Sequence, residues 1–334
     1  MGKQAKRLQK RFGLGAPTLL FIGHLIALGP STAQAAEEAY PNRPINLVVS
    51  MSPGGVLDSH ARIIGDRLAE VLGQPIIRVH KPAAGGILAA SFVLKAKADG
   101  YTLFTGTSSN IIIPVVLKKV DYTWDDFIPL GIYYKGIVHV IVKTDGPFKT
   151  LEDFVQAGKK QTLKVSSYGK HSHAEFVLES FSRLAGIKVA HVPYKSCGEA
   201  VAALLGDHVD ASFCTSAMGQ VAAGTVKLLA VADYERSKYL PEVKTLKECG
   251  YPVALPLLGS FCVSRNTPGR IVEILTNATE EVVRRYSKEI QEELIRLDNV
   301  PTFYNSKQSL QLFRQDYETT LQIVKEMAVH NPNP

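Results

Sequence analysis

Short apolar segments alternate with longer amphipathic segments along most of the chain, and this alternation limits the folds that the chain can adopt. The apolar segments have the length and the branched residues of buried strands. The strand candidates are residues 45–51, 75–79, 102–105, 138–142, 163–166, 209–213 and 228–232. The helix candidates are residues 58–72, 83–95, 151–157, 174–184, 199–205, 270–286 and 310–329. Strands that alternate with helices predict an α/β architecture with mainly parallel sheets.

The first strand candidate ends in a Pro-Gly-Gly turn within the sequence INLVVSMSPGGVLDSHAR. Asp58 can cap the helix that follows, which has an apolar face at Ala61, Ile64 and Leu68. A strand, a glycine turn and a helix N-terminus leave backbone N–H groups without partners, and such a pocket suits an anion. The alternative is that Gly54 and Gly55 only permit a tight turn. The residues alone leave both interpretations open.

The first 35 residues have the order of a secretory signal peptide. Five basic residues precede an apolar stretch, and the small-residue end Ala33-Gln34-Ala35 predicts cleavage after Ala35. The apolar stretch contains His24 and several glycines, and it is too short for a membrane anchor. We therefore expect an exported protein that is released into the periplasm.

The charge of +7 belongs mainly to the signal peptide candidate. Five of the 38 basic residues lie there, and the rest nearly balance the 31 acidic residues, so the mature chain has a charge near +2. A basic excess confined to a targeting segment argues against nucleic acid as a partner.

The four cysteines, Cys197, Cys214, Cys249 and Cys262, have no C-x-x-C spacing. This argues against a zinc ribbon or a C-x-x-C redox motif, and we expect neither a metal nor a cofactor. Disulfides and buried free thiols remain equally open for a chain of this length in an oxidising compartment.

Two segments have the features of crossings between two lobes. The segment FIPLGIYYKGIVHVIVKTDGPFKTLEDF continues as apolar structure past two glycines, and VKLLAVADYERSKYLPEV can return the chain. Two connections can act as a hinge around a ligand. The sequence predicts a signal peptide at 1–35, lobe 1 from residues 36–137 and 234–334, and lobe 2 from residues 138–233.

Four stretches together resemble the periplasmic solute-binding proteins of tripartite tricarboxylate transporters, often called Bug receptors. They are YPNRPINLVVSMSPGGVLDSHARIIGDRLAEVLGQPIIRVHKPAAGG, ADGYTLFTGT, HVPYKSCGEAVAALLGDHVD and LPEVKTLKECGYP, in the family's order and at about its spacing. The resemblance implies a two-lobed Venus-flytrap fold with a hinged cleft that binds a small carboxylate-bearing metabolite. It implies delivery to membrane transporter subunits without catalysis, and we expect a monomer.

The resemblance also implies which residues bind the ligand. The first pincer is Ser52, Pro53, Gly54, Gly55, Val56, Leu57 and Asp58, and the second pincer is Ser167, Tyr168, Gly169, Lys170, His171, Ser172 and His173. The pincers hold carboxylates largely through backbone N–H groups and ordered waters. Thr107, Ser108, Ser109 and Asn110 match a third cleft-lining loop, and the alternative for this loop is a plain polar turn after a strand.

The chain departs from the family's pattern in both pincers and after one strand of the second lobe. Val56 and Leu57 replace a glycine and a threonine, so they form either an apolar wall suited to aliphatic or aromatic carboxylates or packing beneath the loop. Lys170 and its neighbouring histidines either add charge for a second carboxylate or are solvated. Cys214-Thr215 replaces an Asp-Asn pair, which makes amino-acid ligands less favourable.

Two rival functions fit parts of the sequence. Ser167 and Lys170 spell the S-x-x-K motif of a periplasmic serine hydrolase, although neither S-D-N nor K-T-G follows. His171 and His173 form an H-x-H pair, which lacks the further ligands that a stable metal site needs. A third function, as a ligand-loaded partner of a signalling receptor, requires the same fold and cleft as transport.

Overall fold

Strands and α-helices alternate in the computed structural model, which describes residues 40–330. The strands are β1 (Ile45–Val49), β2 (Ile76–His80), β3 (Thr102–Thr107), β4 (Phe127–Gly136), β5 (His139–Lys143), β6 (Leu163–Ser167), β7 (Val189–Pro193), β8 (Ala211–Cys214), β9 (Val226–Val231), β10 (Leu257–Ser264) and β11 (Val300–Asn305). The helices are α1 (Val56–Leu72), α2 (Ile87–Lys95), α3 (Ser108–Val116), α4 (Leu151–Lys160), α5 (His173–Ala185), α6 (Cys197–Leu205), α7 (Met218–Ala222), α8 (Gly269–Arg285), α9 (Ser287–Arg296) and α10 (Ser306–His330). The signal peptide candidate lies outside the described residues.

The strands form two sheets, one in each lobe. The six-stranded sheet has the order β11-β4-β10-β3-β1-β2, and the five-stranded sheet has the order β7-β6-β8-β5-β9. This confirms the two-lobed α/β fold. Each sheet is mixed, because β2-β1-β3 and β7-β6-β8 pair in parallel while the remaining pairs are antiparallel. The antiparallel pairs involve the strands that lead into or out of the connections between lobes, which a local sequence pattern does not reveal.

The chain passes between the two sheets twice. It leaves the six-stranded sheet at the end of β4 and enters the five-stranded sheet at β5 after only two residues, 137 and 138. It leaves β9 and returns to β10 through residues 232–256. From this return connection, Leu246, Val253 and Leu255 pack in the core of the five-stranded sheet.

Helices cover both faces of each sheet. In the six-stranded sheet, one core contains residues of β1, α1 and α8, and the opposite core contains residues of α2, α3 and α10. In the five-stranded sheet, α4 and α5 pack on one face and α6 on the other. Burial on both faces explains why β1 is almost continuously apolar, and it also leaves five of the six residues of β3 buried.

The C-terminal helix α10 contacts both lobes. It packs against α3 and β4 beside the six-stranded sheet and against α5 beside the five-stranded sheet. Phe313 is buried in the first of these regions, and Ile323 is buried in the core of the second. The helix therefore forms a third link between the lobes, through packing.

A buried ion pair ties the two connections together. Lys135, near the end of β4, donates from Nζ to Oδ2 of Asp233 at 2.7 Å, and Asp233 lies just after β9. The two side chains are 5% and 1% exposed. A charge at this depth is tolerated only when it is paired.

Replacement of one partner should therefore lower the free energy of unfolding far more than replacement of both partners. We expect Asp233→Ala to lower the free energy of unfolding by about 3–5 kcal/mol, because it leaves the Lys135 ammonium buried without a partner. The double variant Lys135→Met/Asp233→Leu should recover most of this loss. Urea unfolding of both variants and the wild type measures the difference, and equal losses in the single and double variants would contradict the prediction.

Candidate functional site

The first pincer connects the end of β1 to the start of α1. Gly54 has φ +82°, a left-handed conformation that favours glycine. Its N–H donates to Oδ2 of Asp58 at 2.9 Å, and the N–H of Gly55 donates to the carbonyl oxygen of Ser52 at 3.0 Å. The two glycine N–H groups are therefore used inside the loop.

Asp58 is not the helix cap, and that prediction is wrong. The cap is Gly55, which has no side chain to offer, so α1 begins at Val56 and Asp58 is its third residue. The carboxylate of Asp58 is almost completely buried, and its Oδ1 lies 2.8 Å from Nε2 of His80. Oδ2 also accepts from Arg62 at 3.0 Å. Burial would raise the pKa of Asp58, but the bonds from Gly54 and His80 and the charge of Arg62 hold it below its usual value.

The open donors of the first pincer belong to the first turn of α1. Within residues 40–330, no acceptor lies in hydrogen-bonding position for the backbone N–H of Val56 or of Leu57. The first N–H groups of a helix have no intrahelical partner, and they lie at the positive end of the helix dipole. The Val56 side chain is 43% exposed, whereas that of Leu57 is buried against the core. Of the two alternatives for this pair, packing beneath the loop holds for Leu57. Val56 lies at the surface, where it could form an apolar wall.

The third loop is the first turn of a helix rather than a plain polar turn. Thr107 caps α3 and its hydroxyl accepts from the N–H of Asn110 at 3.2 Å. Asn110 in turn donates from Nδ2 to the carbonyl oxygen of Gly85 at 2.7 Å. Ser109 is half-buried and Ser108 is fully buried. Because β1 and β3 are parallel neighbours, this turn and the first pincer lie at the same edge of the sheet.

The third loop contacts the second pincer across the lobes. Oγ of Ser108 lies 3.3 Å from Nε2 of His173, the first residue of α5. The same nitrogen lies 3.5 Å from Oδ2 of Asp316 in α10. All three side chains are fully buried. The structure therefore brings two helix N-termini, one from each lobe, into contact beside a carboxylate.

The second pincer is held by a chain of side chains on β6, β7 and α5. Oγ of Ser167 lies 2.7 Å from Nε2 of His191, and Nδ1 of His191 lies 3.1 Å from Oε1 of Glu175. Oε2 of Glu175 accepts the N–H of His171. Burial would raise the pKa of Glu175, but the bonds from His191 and His171 outweigh it and hold the pKa below its usual value.

The two pincers share one design. Asp58 and Glu175 are each the third residue of a helix, and each accepts an N–H four residues earlier in the loop. Each is also bound by a histidine of the neighbouring parallel strand, His80 in β2 and His191 in β7. No pattern in the sequence predicts a role for either histidine, although each lies in a stretch that resembles the family.

The remaining residues of the second pincer shape its turn. Ser172 caps α5: its hydroxyl accepts from the N–H of Glu175 and donates to the carbonyl oxygen of Gly169 at 2.8 Å. Tyr168 is partly buried, and its hydroxyl is buried without a hydrogen-bond partner among the described residues. Lys170 and His171 are exposed. Lys119 of the other lobe donates from Nζ to Nδ1 of His171 at 3.4 Å, so basic side chains from both lobes meet here.

Neither rival site is assembled in these loops. Ser167, His191 and Glu175 have the order of a nucleophile, base and orienting acid, but Ser167 is fully buried and its Oγ also bonds Gly169. Lys170, the base of the S-x-x-K hypothesis, is exposed. Within residues 40–330, no cluster of three or more His, Cys, Asp and Glu side chains could hold a metal ion.

A groove of about 970 Å³ lies elsewhere, between α5, α10 and the return connection. Its lining includes Arg183, Tyr234 and Leu255, and it contains no residue of the pincers or of the third loop. The groove is therefore separate from the candidate site.

The sequence of this chain matches the family described as tripartite tricarboxylate transporter family receptor over residues 60–329. The chain belongs to this family. It is 29% identical over 339 residues to the UPF0065 protein in gbd 5′ region of Cupriavidus necator, and the match covers 98% of each chain. The predicted resemblance is thus confirmed.

Solved structures of related receptors share the fold. A TctC solute-binding protein from Polaromonas superposes with a TM-score of 0.78 at 26% identity, covering 86% of this chain and 99% of that one. MatC from Rhodopseudomonas palustris, solved with bound malate, gives a TM-score of 0.69 at 27% identity, covering 85% of this chain and 100% of that one.

These receptors bind solutes without catalysis, so the serine hydrolase hypothesis does not hold for this chain. In the part of the receptor that the structure describes, no helix is both long and apolar enough to cross a membrane.

The buried carboxylate of the first pincer should make stability depend on pH. Because the folded-state pKa of Asp58 lies below its usual value of 3.8, its contribution is present above that value and is lost as the pH falls through the folded-state pKa. We expect Asp58→Asn to lower the free energy of unfolding by roughly 1.5–3 kcal/mol at pH 7 and by less below pH 3.8. Urea unfolding at several pH values measures this.

Asp66→Asn is the matched control, because Asp66 pairs with Arg78 at the surface and is more than half exposed. This variant should change stability little at any pH. A difference between Asp58→Asn and the wild type that is the same at pH 7 and pH 3 would contradict the prediction.

Proposed function

We propose that the protein is an exported receptor that binds a small carboxylate-bearing metabolite between its lobes and delivers it to the membrane subunits of a tripartite tricarboxylate transporter. The observation that carries the proposal is the meeting of helix N-termini from both lobes at Ser108 and His173. Helix N-termini are anion-binding sites, and here they accompany two glycine-containing loops at the carboxyl edges of parallel strands. Cleavage after Ala35 and release into the periplasm belong to the same proposal.

The proposed site contains the predicted residues, but their roles differ: some bind the ligand and others hold the loops in shape. Backbone N–H groups of the helix turns, such as those of Val56 and Leu57, bind the carboxylate. The side chains of Asp58, Ser108, Ser167 and His173 are buried and bonded inside the protein, so they shape the loops. The exposed residues of the pincers, Ser52, Pro53, Gly54, Val56, Lys170 and His171, complete the ligand's surroundings.

The energies suffice for useful affinity. A hydrogen bond to a carboxylate contributes roughly 1.5–3 kcal/mol, and the helix dipole adds roughly 0.3–1 kcal/mol. Three or four such bonds, less the cost of ordering the ligand and the lobes, leave about the 8 kcal/mol that micromolar binding needs.

The ligand class is proposed from two features. Malate is bound in the solved structure of MatC, a receptor of similar sequence and fold, which supports a carboxylate. Met51 and Val56 are exposed apolar side chains beside the open N–H groups of the first pincer. They favour a mono- or dicarboxylate with an aliphatic or aromatic body over citrate.

The lobe boundaries are part of the same proposal. The six-stranded sheet draws its strands from residues on both sides of the five-stranded sheet's segment, which supports lobe 1 at 36–137 and 234–334 and lobe 2 at 138–233. Closure of the lobes would then occur about residues 137–138 and the return connection.

A thermal-shift screen tests the ligand class. We expect mono- or dicarboxylates to raise the melting temperature by several degrees, since a ligand at one hundred times its Kd adds about 2.7 kcal/mol to stability. Amino acids should be weaker, because the buried thiol of Cys214 replaces a carboxylate that could pair with an amine. Failure of every carboxylate to shift the melting temperature would overturn the proposal.

A proline substitution tests the proposed donors. Val56 is the first residue of α1, where proline fits, and Gly55 before it has an extended conformation that proline accepts. Val56→Pro should remove one open N–H while α1 remains folded, and it should weaken carboxylate binding about 10- to 100-fold. Titration calorimetry with the best ligand of the screen measures the change.

Val56→Ala is the control, because it removes the side chain and keeps the N–H. It should bind within a few-fold of the wild type. If Val56→Pro binds as well as Val56→Ala while both melt like the wild type, the N–H of Val56 does not contact the ligand.

Uptake and sensing would use the same cleft, and the neighbouring genes distinguish them. Genes for large and small transporter subunits beside this one support delivery, whereas a sensor gene there supports the signalling alternative.

A further inference from the structure

Two cysteine thiols lie at the edge of the five-stranded sheet that carries the second pincer. Cys197 is the first residue of α6, and Cys214 is the last residue of β8. Strand β8 is the parallel neighbour of β6, and Ser167 of β6 is in register with Phe213. Tyr168, the residue after Ser167, and Cys214, the residue after Phe213, are therefore side by side at one edge of the sheet.

The two thiols share one small cluster of contacts. The N–H of Thr215 donates to Sγ of Cys197 at 3.3 Å, and the Thr215 hydroxyl lies 3.8 Å from the same sulfur. Cys197 packs against the apolar cluster that contains Cys214, and the N–H that its sulfur accepts belongs to the residue directly after Cys214. Cys214 is fully buried and Cys197 is partly exposed. Tyr168 packs against the same cluster.

The two sulfurs differ in reactivity. The neighbouring Cys214 side chain and the backbone N–H groups of Thr215 and Ser216 lower the pKa of Cys197, although burial opposes this shift. The N-terminus of α6 also favours the Cys197 thiolate. Burial, and then the neighbouring Cys197 sulfur, raise the pKa of Cys214 well above its usual value. A partly exposed thiol with a lowered pKa beside a fully buried thiol is the arrangement of an attacking and a resolving cysteine.

We propose that Cys197 and Cys214 are a redox pair that closes to a disulfide by exchange with a small-molecule disulfide. The thiolate of Cys197 attacks one sulfur of the oxidant, whose S–S bond breaks and releases one thiolate. Cys214 then loses its proton to solvent and its sulfur attacks Sγ of Cys197, which expels the second thiolate. Two protein thiols are oxidised by two electrons, and one disulfide oxidant is reduced to two thiols.

The first step also activates the second. While Cys197 is a thiolate, its negative charge and its interaction with the Cys214 thiol both oppose ionisation of Cys214. In the mixed disulfide that charge is gone, so only burial still raises the pKa of Cys214. The inference does not depend on the proposed function, because the thiols are assayed without a ligand.

The experiment measures thiols in the folded protein. The purified protein is reduced, freed of reductant, equilibrated with mixtures of reduced and oxidised glutathione, quenched in acid, denatured and alkylated. Intact mass and peptide mapping then count the modified cysteines. We expect the four alkylated thiols of the reduced protein to fall to two, with Cys197 linked to Cys214.

Variants separate the two steps. Cys214→Ser should stop at a mixed disulfide between Cys197 and glutathione, and Cys197→Ser should leave Cys214 reduced. Cys249→Ser and Cys262→Ser are controls that should still form the Cys197–Cys214 bond. Four alkylated thiols in the oxidised wild type, or a persistent glutathione adduct on its Cys197, would overturn the inference. If a variant does not fold, the peptide map of the wild type decides alone.

Discussion

The arrangement of this receptor depends on the place where two helix N-termini meet between the lobes. Each N-terminus carries a partial positive charge of roughly half an elementary charge, and two of them in contact repel each other. Asp316 of the C-terminal helix lies beside the contact, 3.5 Å from His173, and is fully buried. Its carboxylate offsets the two positive ends, so the lobes can approach without a bound anion in that position. The remaining open N–H groups are the ones that the proposed function assigns to the ligand.

A second electrostatic constraint acts on the pincers, because a loop with many unpaired N–H groups is unstable unless hydrogen-bond acceptors are close to them. Both pincers supply the acceptor in the same way, with Asp58 and His80 in one lobe and Glu175 and His191 in the other. In each case a carboxylate at the third helical position takes one N–H of the loop, and a histidine from the next strand orients the carboxylate. The cost is that these acidic side chains are not available to the ligand. In the proposed function, recognition of the anion therefore falls to backbone N–H groups, where no side-chain charge has to be overcome.

Local patterns predicted most of the elements, and the failures have physical causes. Strand β7 was missed because it is an edge strand whose residues are all partly exposed or exposed, so its sequence has no apolar run. Helix α3 has no helical signal in its sequence, because its last residues, IIIPVV, include β-branched side chains and Pro114 that disfavour a helix. Tertiary packing nevertheless buries these residues and stabilises the helix. Strands β10 and β11 depend on partners far along the chain, such as β4.

The sequence predicts the loops of the candidate site, but it does not show which of their N–H groups are open. The Pro-Gly-Gly turn predicts the turn between β1 and α1, whereas the start of α1 at Val56 and the bond between Gly54 and Asp58 require coordinates. The side chains that hydrogen-bond to the second pincer could not be predicted from the sequence either. His191 reaches Ser167 only because β6 and β7 pair in parallel, with His191 opposite Val165.

The C-terminal helix has a mechanical consequence. Two connections alone would allow the lobes both to twist and to bend, but α10 packs against α3 and β4 on one side and against α5 on the other. Twisting would shear the packed surface of α10, whereas bending about an axis close to it preserves most of that contact. In the proposed function, α10 would therefore restrict the lobes to one direction of opening, and a transporter would need to distinguish only an open and a closed form.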